Sequence, residues 1–147
     1  MVRYKKTQIA WAIVGLQIIV TVFIAFASMN NSGEPNQVNS LTLVILAILL
    51  LLVLMFYVIT VIVTDEHVKI KYGFGLFSKQ IEISRIESIS SIGINIYHGY
   101  GIKKITNGVL YNTGKSIAIE LKLTENEIIQ IGTNDSETLK AVLDKTV

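Results

Sequence analysis

The sequence has no cysteine, which excludes a disulfide framework and a thiolate metal site. Charge is scarce as well. Asp, Glu, Lys and Arg make up 16% of the 147 residues, against 51% hydrophobic. The shortage is local: Thr7–Ala27 (TQIAWAIVGLQIIVTVFIAFA) and Leu41–Val63 (LTLVILAILLLLVLMFYVITVIV) carry no charged residue at all. About 20 apolar residues, rising about 1.5 Å each, cross a hydrocarbon layer of about 30 Å. Neither run has the polar stripe of an amphipathic soluble helix. Two membrane-crossing helices are therefore expected, at 7–27 and 41–63. In the first, Gln17 is the one strongly polar interior position and Gly15 a small one. These two are candidates for helix–helix contact, through an amide hydrogen bond and a close approach.

Lysine and arginine are missing from the connecting segment Ser28–Ser40, whereas Arg3, Lys5 and Lys6 precede the first run. Positive residues mark the cytoplasmic side. The expectation is a multi-pass protein of the cell membrane, with 28–40 outside and both the N-terminus and the C-terminal part in the cytoplasm. Trp11 and Tyr57 suit anchoring at the interface. Ala25-Phe26-Ala27 after a basic start is similar to a signal-peptide cleavage site. The apolar run is, however, longer than the about 7–15 residues of such a segment, and it is read as a retained helix.

Residues 65–147 then form one small domain, with 1–64 as its anchor. Of thirteen Lys and Arg, all but Arg3, Lys5 and Lys6 lie in this domain; of eleven Asp and Glu, all but Glu34 do. Its charges balance, which argues against nucleic acid as a partner. His67–Tyr72 alternates, with Val68, Ile70 and Tyr72 on one side and His67, Lys69 and Lys71 on the other, as in a half-buried strand. Gly73-Phe74-Gly75 turns the chain into a second strand, Leu76–Ile83. Further strands are expected at 86–96, 102–105, 109–111, 116–123 and 127–131, with Asn107-Gly108 as a tight turn. Asn134 and Glu137 are spaced as a capping box. Leu139, Val142 and Leu143 then fall on one face of a terminal helix.

The ordered series Lys71-Tyr72-Gly73-Phe74-Gly75, Ile86-Glu87-Ser88-Ile89, Gly99-Tyr100-Gly101-Ile102-Lys103, Gly108 with Tyr111-Asn112, Gly114-Lys115, Ile119-Glu120-Leu121 and Ile131-Gly132-Thr133-Asn134-Asp135 resembles the bacterial pleckstrin-homology (PH) domains of small membrane proteins. It covers most of 65–147. Tyr100 stands where that family often has tryptophan, and Ser136 where it often has proline. The resemblance implies an α+β protein: two membrane helices, then a PH-like seven-stranded antiparallel sandwich capped by a C-terminal helix. It implies a tethered binding or scaffolding module, often self-associating, and brings no known catalytic activity or ligand with it; no enzyme activity, cofactor or metal is expected.

Residue chemistry points the same way. His67 and His98 are the only histidines and stand in no triad or ligand spacing. No phosphate-binding loop or dinucleotide fingerprint occurs. The loop Tyr97–Lys104 is the candidate interaction surface, with Tyr97, Tyr100, Ile102, Lys103 and Lys104; aromatic side chains in exposed loops are frequent interface anchors. Lys69, Lys71 and Lys79 are candidates for contact with an anionic membrane surface, where each contributes about 1 kcal/mol. The expected partners are the bilayer and either a second copy or another membrane protein. Two alternatives are an accessory subunit of a transporter or export complex, and an anionic-lipid sensor, for which a specific headgroup is the less favoured option.

Overall fold

The structure is a computed structural model that describes residues 1–31, 40–73, 75–95 and 99–147. Among these residues it is an α+β fold of nine strands in two sheets with three α-helices. The first sheet is a meander of β1 (Val2–Ile9), β2 (Val58–Thr64), β3 (His67–Tyr72) and β4 (Phe77–Glu82), each antiparallel to the next. Between β1 and β2 lie α1 (Trp11–Asn31) and α2 (Ser40–Phe56). The second sheet holds β5 (Ile86–Gly93), β6 (Tyr100–Ile105), β7 (Gly108–Thr113), β8 (Ile117–Leu123) and β9 (Ile128–Gly132) in the order β5-β8-β9-β7-β6. Helix α3 (Ser136–Asp144) follows.

Seven expected strands become nine because two lie outside the expected domain. The first apolar helix starts at Trp11 rather than Thr7, and residues 7–9 belong to β1. The second ends at Phe56 rather than Val63. The reason is compositional. Residues 43–56 are leucine-rich, but Val58–Thr64 (VITVIVT) is an unbroken run of β-branched residues, which are stiff at χ1 and favour a pleated strand. Ile59, Val61 and Val63 are fully buried in the core. The α1 segment Trp11–Ser28 is long and apolar enough to cross a membrane, while α2 is apolar but shorter, at 17 residues. The sheet joins residues 2–9 and 58–64 to 67–82, so strands flank the helical pair on both sides.

A second correction concerns strand direction. β7 and β9 are parallel, with Gly108 opposite Ile128 and Tyr111 opposite Ile131. The hairpin β6–β7 is an insertion in the antiparallel run β5-β8-β9 and adds to the far edge of β9. One core joins both sheets and α3. It holds Val68, Ile70 and Tyr72 of β3, Ile119, Leu121 and Leu123 of β8, Ile129 and Ile131 of β9, and Leu139 and Leu143 of α3. Val142 packs against it. The N-cap position is Asp135 rather than Asn134, and the Asp135 side chain is turned to Lys6 and Tyr4 instead of capping the helix.

Candidate functional site

The strands of the first sheet run directly into the helices. The Ala10 amide donates to the Tyr57 carbonyl at 2.7 Å, one residue beyond the Ile9–Val58 pair, so the ladder closes where the helices begin. The end of β3 is fastened to the same junction. The Gly73 amide donates to the Val58 carbonyl at 2.8 Å. Gly73 has φ of 65°, and a Cβ there would lie 2.5 Å from the Met55 carbonyl oxygen of α2. Only glycine suits both the left-handed backbone and the close approach.

β1 is also locked to the β9–α3 junction. Gln8, 5% exposed, donates from Nε2 to the Gly132 carbonyl, and its Oε1 accepts from the Asn134 amide, both at 3.2 Å. Lys6 Nζ lies 2.8 Å from Asp135 Oδ2, and the Tyr4 hydroxyl donates to the same oxygen at 3.2 Å. The Lys6 hydrogen bond, with a further one from Thr138, holds the Asp135 carboxyl below the usual carboxylate range. Burial, then the charge of Asp135, pushes the Tyr4 hydroxyl up. A carboxyl that titrates lower when folded stabilises the fold above its unfolded value of about 3.9, and that contribution is lost as pH falls through the lowered folded value. Asp135→Asn is therefore expected to melt earlier than the parent at pH 7, with the two melting points converging as pH falls through the lowered value of the folded carboxyl. A gap constant over the whole range would show that the ionised form plays no part.

The candidate residues fall into three groups. Tyr97 lies outside the described residues, as do His98 and Phe74. Tyr100, Ile102, Lys103 and Lys104 lie on β6, the terminal strand of the five-stranded sheet. By alternation Tyr100, Ile102 and Lys104 share one face and Lys103 takes the other. Tyr100 lies across Gly114, where a Cβ would come 2.3 Å from its ring. Its role is thus partly to pack the β7–β8 turn. Ile102 is 38% exposed on the same face.

The three lysines do not converge. Lys69 and Lys71 stand on the outer face of the first sheet, but Lys79 pairs across the sheet with buried Ile70 and so takes the inner face. There it binds Glu127 Oε1 at 3.1 Å. Lys5 of β1 takes its place on the outer face. Nor do the helix candidates bridge the helices. A Cβ at Gly15 would meet nothing within 4 Å. Gln17 donates along its own helix to Thr21 Oγ1 at 3.2 Å, while Ser28 and Thr42 make a polar contact between the helices at 3.3 Å.

No family model, characterised protein or solved structure matches this chain. Its site residues therefore stand on geometry. Among the described residues no three His, Asp or Glu side chains converge as metal ligands would.

One residue with a large structural role was not among the candidate site residues, although it belongs to the ordered series as Tyr111-Asn112. Asn112, 1% exposed, donates from Nδ2 to the carbonyls of Gly99 (2.9 Å) and Lys115 (3.1 Å) and accepts from the Lys115 amide (2.8 Å). The Tyr72 hydroxyl donates to the Asn112 carbonyl at 2.9 Å, and burial pushes that hydroxyl up to about 12. Asn112 thereby ties the start of β6, the turn after β7 and the helix-proximal end of β3 together.

Proposed function

We propose that the chain is a non-enzymatic, membrane-anchored binding module that presents a β domain in fixed orientation to a second copy or another membrane protein. The observation that carries this reading is the unbroken passage of β1 into α1 and of α2 into β2, closed by the Ala10–Tyr57 hydrogen bond. A tether of that kind leaves little freedom between anchor and domain. The same pairing supports two crossings: β1 and β2 are hydrogen-bonded neighbours, so a chain that leaves through α1 has to return through α2. At about 1.5 Å per residue the 17 residues of α2 extend about 26 Å, close to the hydrocarbon thickness. The cytoplasmic placement rests on the basic residues of β1 and their absence from 28–40.

A PH-like reading of the domain draws support from its order. With the β6–β7 hairpin set aside, a four-stranded meander is followed by the three-stranded antiparallel run β5-β8-β9 and a closing helix. The hairpin itself supplies the docking edge. A terminal strand offers unpaired backbone groups to a partner's strand, and β6 adds the exposed Ile102 and Lys104 beside them.

A photoreactive residue at Ile102, activated in native membranes, is expected to capture either the same chain or one membrane protein. The double variant Ile102→Glu, Lys104→Glu should reduce that capture roughly tenfold, because charge replaces an apolar contact at the edge, while its melting point stays that of the parent. Capture unaltered by the double variant would overturn the assignment of this edge.

A further inference from the structure

Of the thirteen Lys and Arg, five lie close to a carboxylate among the described residues. Arg3, Lys6, Lys79, Arg85 and Lys140 each face a carboxylate: Asp65, Asp135, Glu127, Glu125 with Glu127, and Asp144. Lys5, Lys69 and Lys71 form no ion pair among the described residues, yet all three stand on the outer face of the first sheet. Pairing places them in two adjacent rows, Lys5–Ile62–Lys69–Gln80 and Thr7–Thr60–Lys71–Ser78. Neither row contains an acid. The first acid on this face is Glu82, in the row beyond, next to His67 and away from the helices. Three like charges collected without counter-ions repel one another, and such a face favours an anion.

The face is also shaped. An open groove of about 390 Å³ is lined by Lys5, Thr7, Thr60 and Lys71, with Tyr57 and Gly73 at its helix end. The Thr7 and Thr60 hydroxyls lie 2.9 Å apart and hydrogen-bond to each other. One O–H is spent within that pair, and the other remains to donate outward. Lysine ammonium groups and a hydroxyl donor around one groove are the donor set that recognises phosphate oxygens.

Position then names the source of the phosphate. Thr60 lies three residues from Tyr57, about 10 Å along the strand, and a lysine side chain covers much of that distance. At the same end of the sheet Trp11 (70% exposed) and Leu76 (66% exposed) project as bare apolar groups. Aromatic and apolar groups beside lysines form the arrangement found where a protein meets the boundary between headgroups and acyl chains.

We propose that this groove binds the phosphodiester headgroup of an anionic phospholipid, held by Lys5 and Lys71 with the Thr7–Thr60 pair and supported by the charge of Lys69. The placement at the bilayer surface rests on the anchored reading above. The binding test does not, since it is made in micelles whatever the number of crossings.

The full chain in detergent is titrated with phosphatidylglycerol or phosphatidylcholine, and bound lipid is counted by native mass spectrometry. Phosphatidylglycerol is expected to be retained about tenfold more strongly than phosphatidylcholine, and Lys5→Gln with Lys71→Gln to remove that preference. Lys5→Arg with Lys71→Arg should keep it, and so should Lys122→Gln with Lys145→Gln, which lie away from this sheet. Equal retention of the two lipids by the parent chain, or an unchanged preference in the Lys5/Lys71 glutamine pair, overturns the proposal. Displacement of phosphatidylglycerol by an equal concentration of inorganic phosphate overturns the lipid assignment in favour of free phosphate. If the glutamine pair does not fold, salt decides on the parent protein. The preference must fall between about 50 mM and about 500 mM salt, because exposed charges are screened within a few ångströms at the higher strength; insensitivity to salt rejects the site.

Discussion

Gly73→Val is expected to lower the thermal midpoint of the β domain by about 10 °C. Two costs add. A side chain at φ of 65° occupies the left-handed region, at about 1–2 kcal/mol, and valine is among the residues least suited to it. The new Cβ also meets the Met55 carbonyl oxygen at 2.5 Å, which forces β3 off the end of α2 at a further cost of about 1–3 kcal/mol. About 3 kcal/mol in a chain of this size corresponds to roughly 10 °C. Gly75→Val isolates the second cost. Gly75 shares a positive φ, 91°, but a Cβ there would meet nothing within 4 Å. If the two variants melt together, the close approach of β3 to α2 contributes nothing, and the rigid junction loses its main support. If Gly73→Val alone falls far, the domain is seated on the helix through that glycine.

Asn112→Ala should cost a similar amount, about 3 kcal/mol, by a different route. The side chain makes three hydrogen bonds from a buried position. Each is worth about 1 kcal/mol, and each partner left buried without a replacement adds to the loss. A second substitution tests the geometry. A Cβ at Gly132 would lie 2.2 Å from Asn112 Oδ1, so Gly132→Ala should be damaging alone and much less so with Asn112→Ala already present. Neighbours that share a contact are not additive. Strict additivity in urea unfolding of the two single variants and the double variant would show that Asn112 and Gly132 do not meet.

Much of the domain was legible because its strands alternate in the ordinary way. His67–Tyr72 buries Val68, Ile70 and Tyr72, and Ile117–Leu123 buries Ile119, Leu121 and Leu123, although Ile117 at the strand's start is exposed and Ala118 is buried; α3 buries Leu139 and Leu143. The first two strands were hidden by a stronger signal. Val58–Thr64 continues a long apolar run, and hydropathy does not separate a membrane helix from a buried strand. The switch from leucine to β-branched residues does. β1 was concealed in the opposite way, since its inward positions are Tyr4, Lys6 and Gln8, polar groups that meet Asp135 and the β9–α3 turn. Lys79 could have been placed from parity alone: it shares a face with Ile81, which is buried. The role of Lys5 could not, because its neighbours are set by the pairing of strands 50 residues and more apart. The parallel β7–β9 contact likewise depends on where a whole hairpin folds back, which no local pattern records.

The helical pair sits inside a β hairpin, and that fixes an order of events during synthesis. β1 leaves the ribosome first, but its partner among the described strands, β2, follows after the 48 intervening residues, 10–57. Under the anchored reading, those residues have to enter the bilayer and come back before the ladder can close. A chain that inserts one helix and strands the other leaves β1 and β2 on opposite sides of the membrane. The seven residue pairs of β1 with β2 then cannot form, and Ile59, Val61 and Val63 have no core to enter. Such a chain is left with an unfinished sheet and exposed strand edges. Under the anchored reading, a closed β1–β2 ladder therefore requires that both strands end on the same side of the membrane.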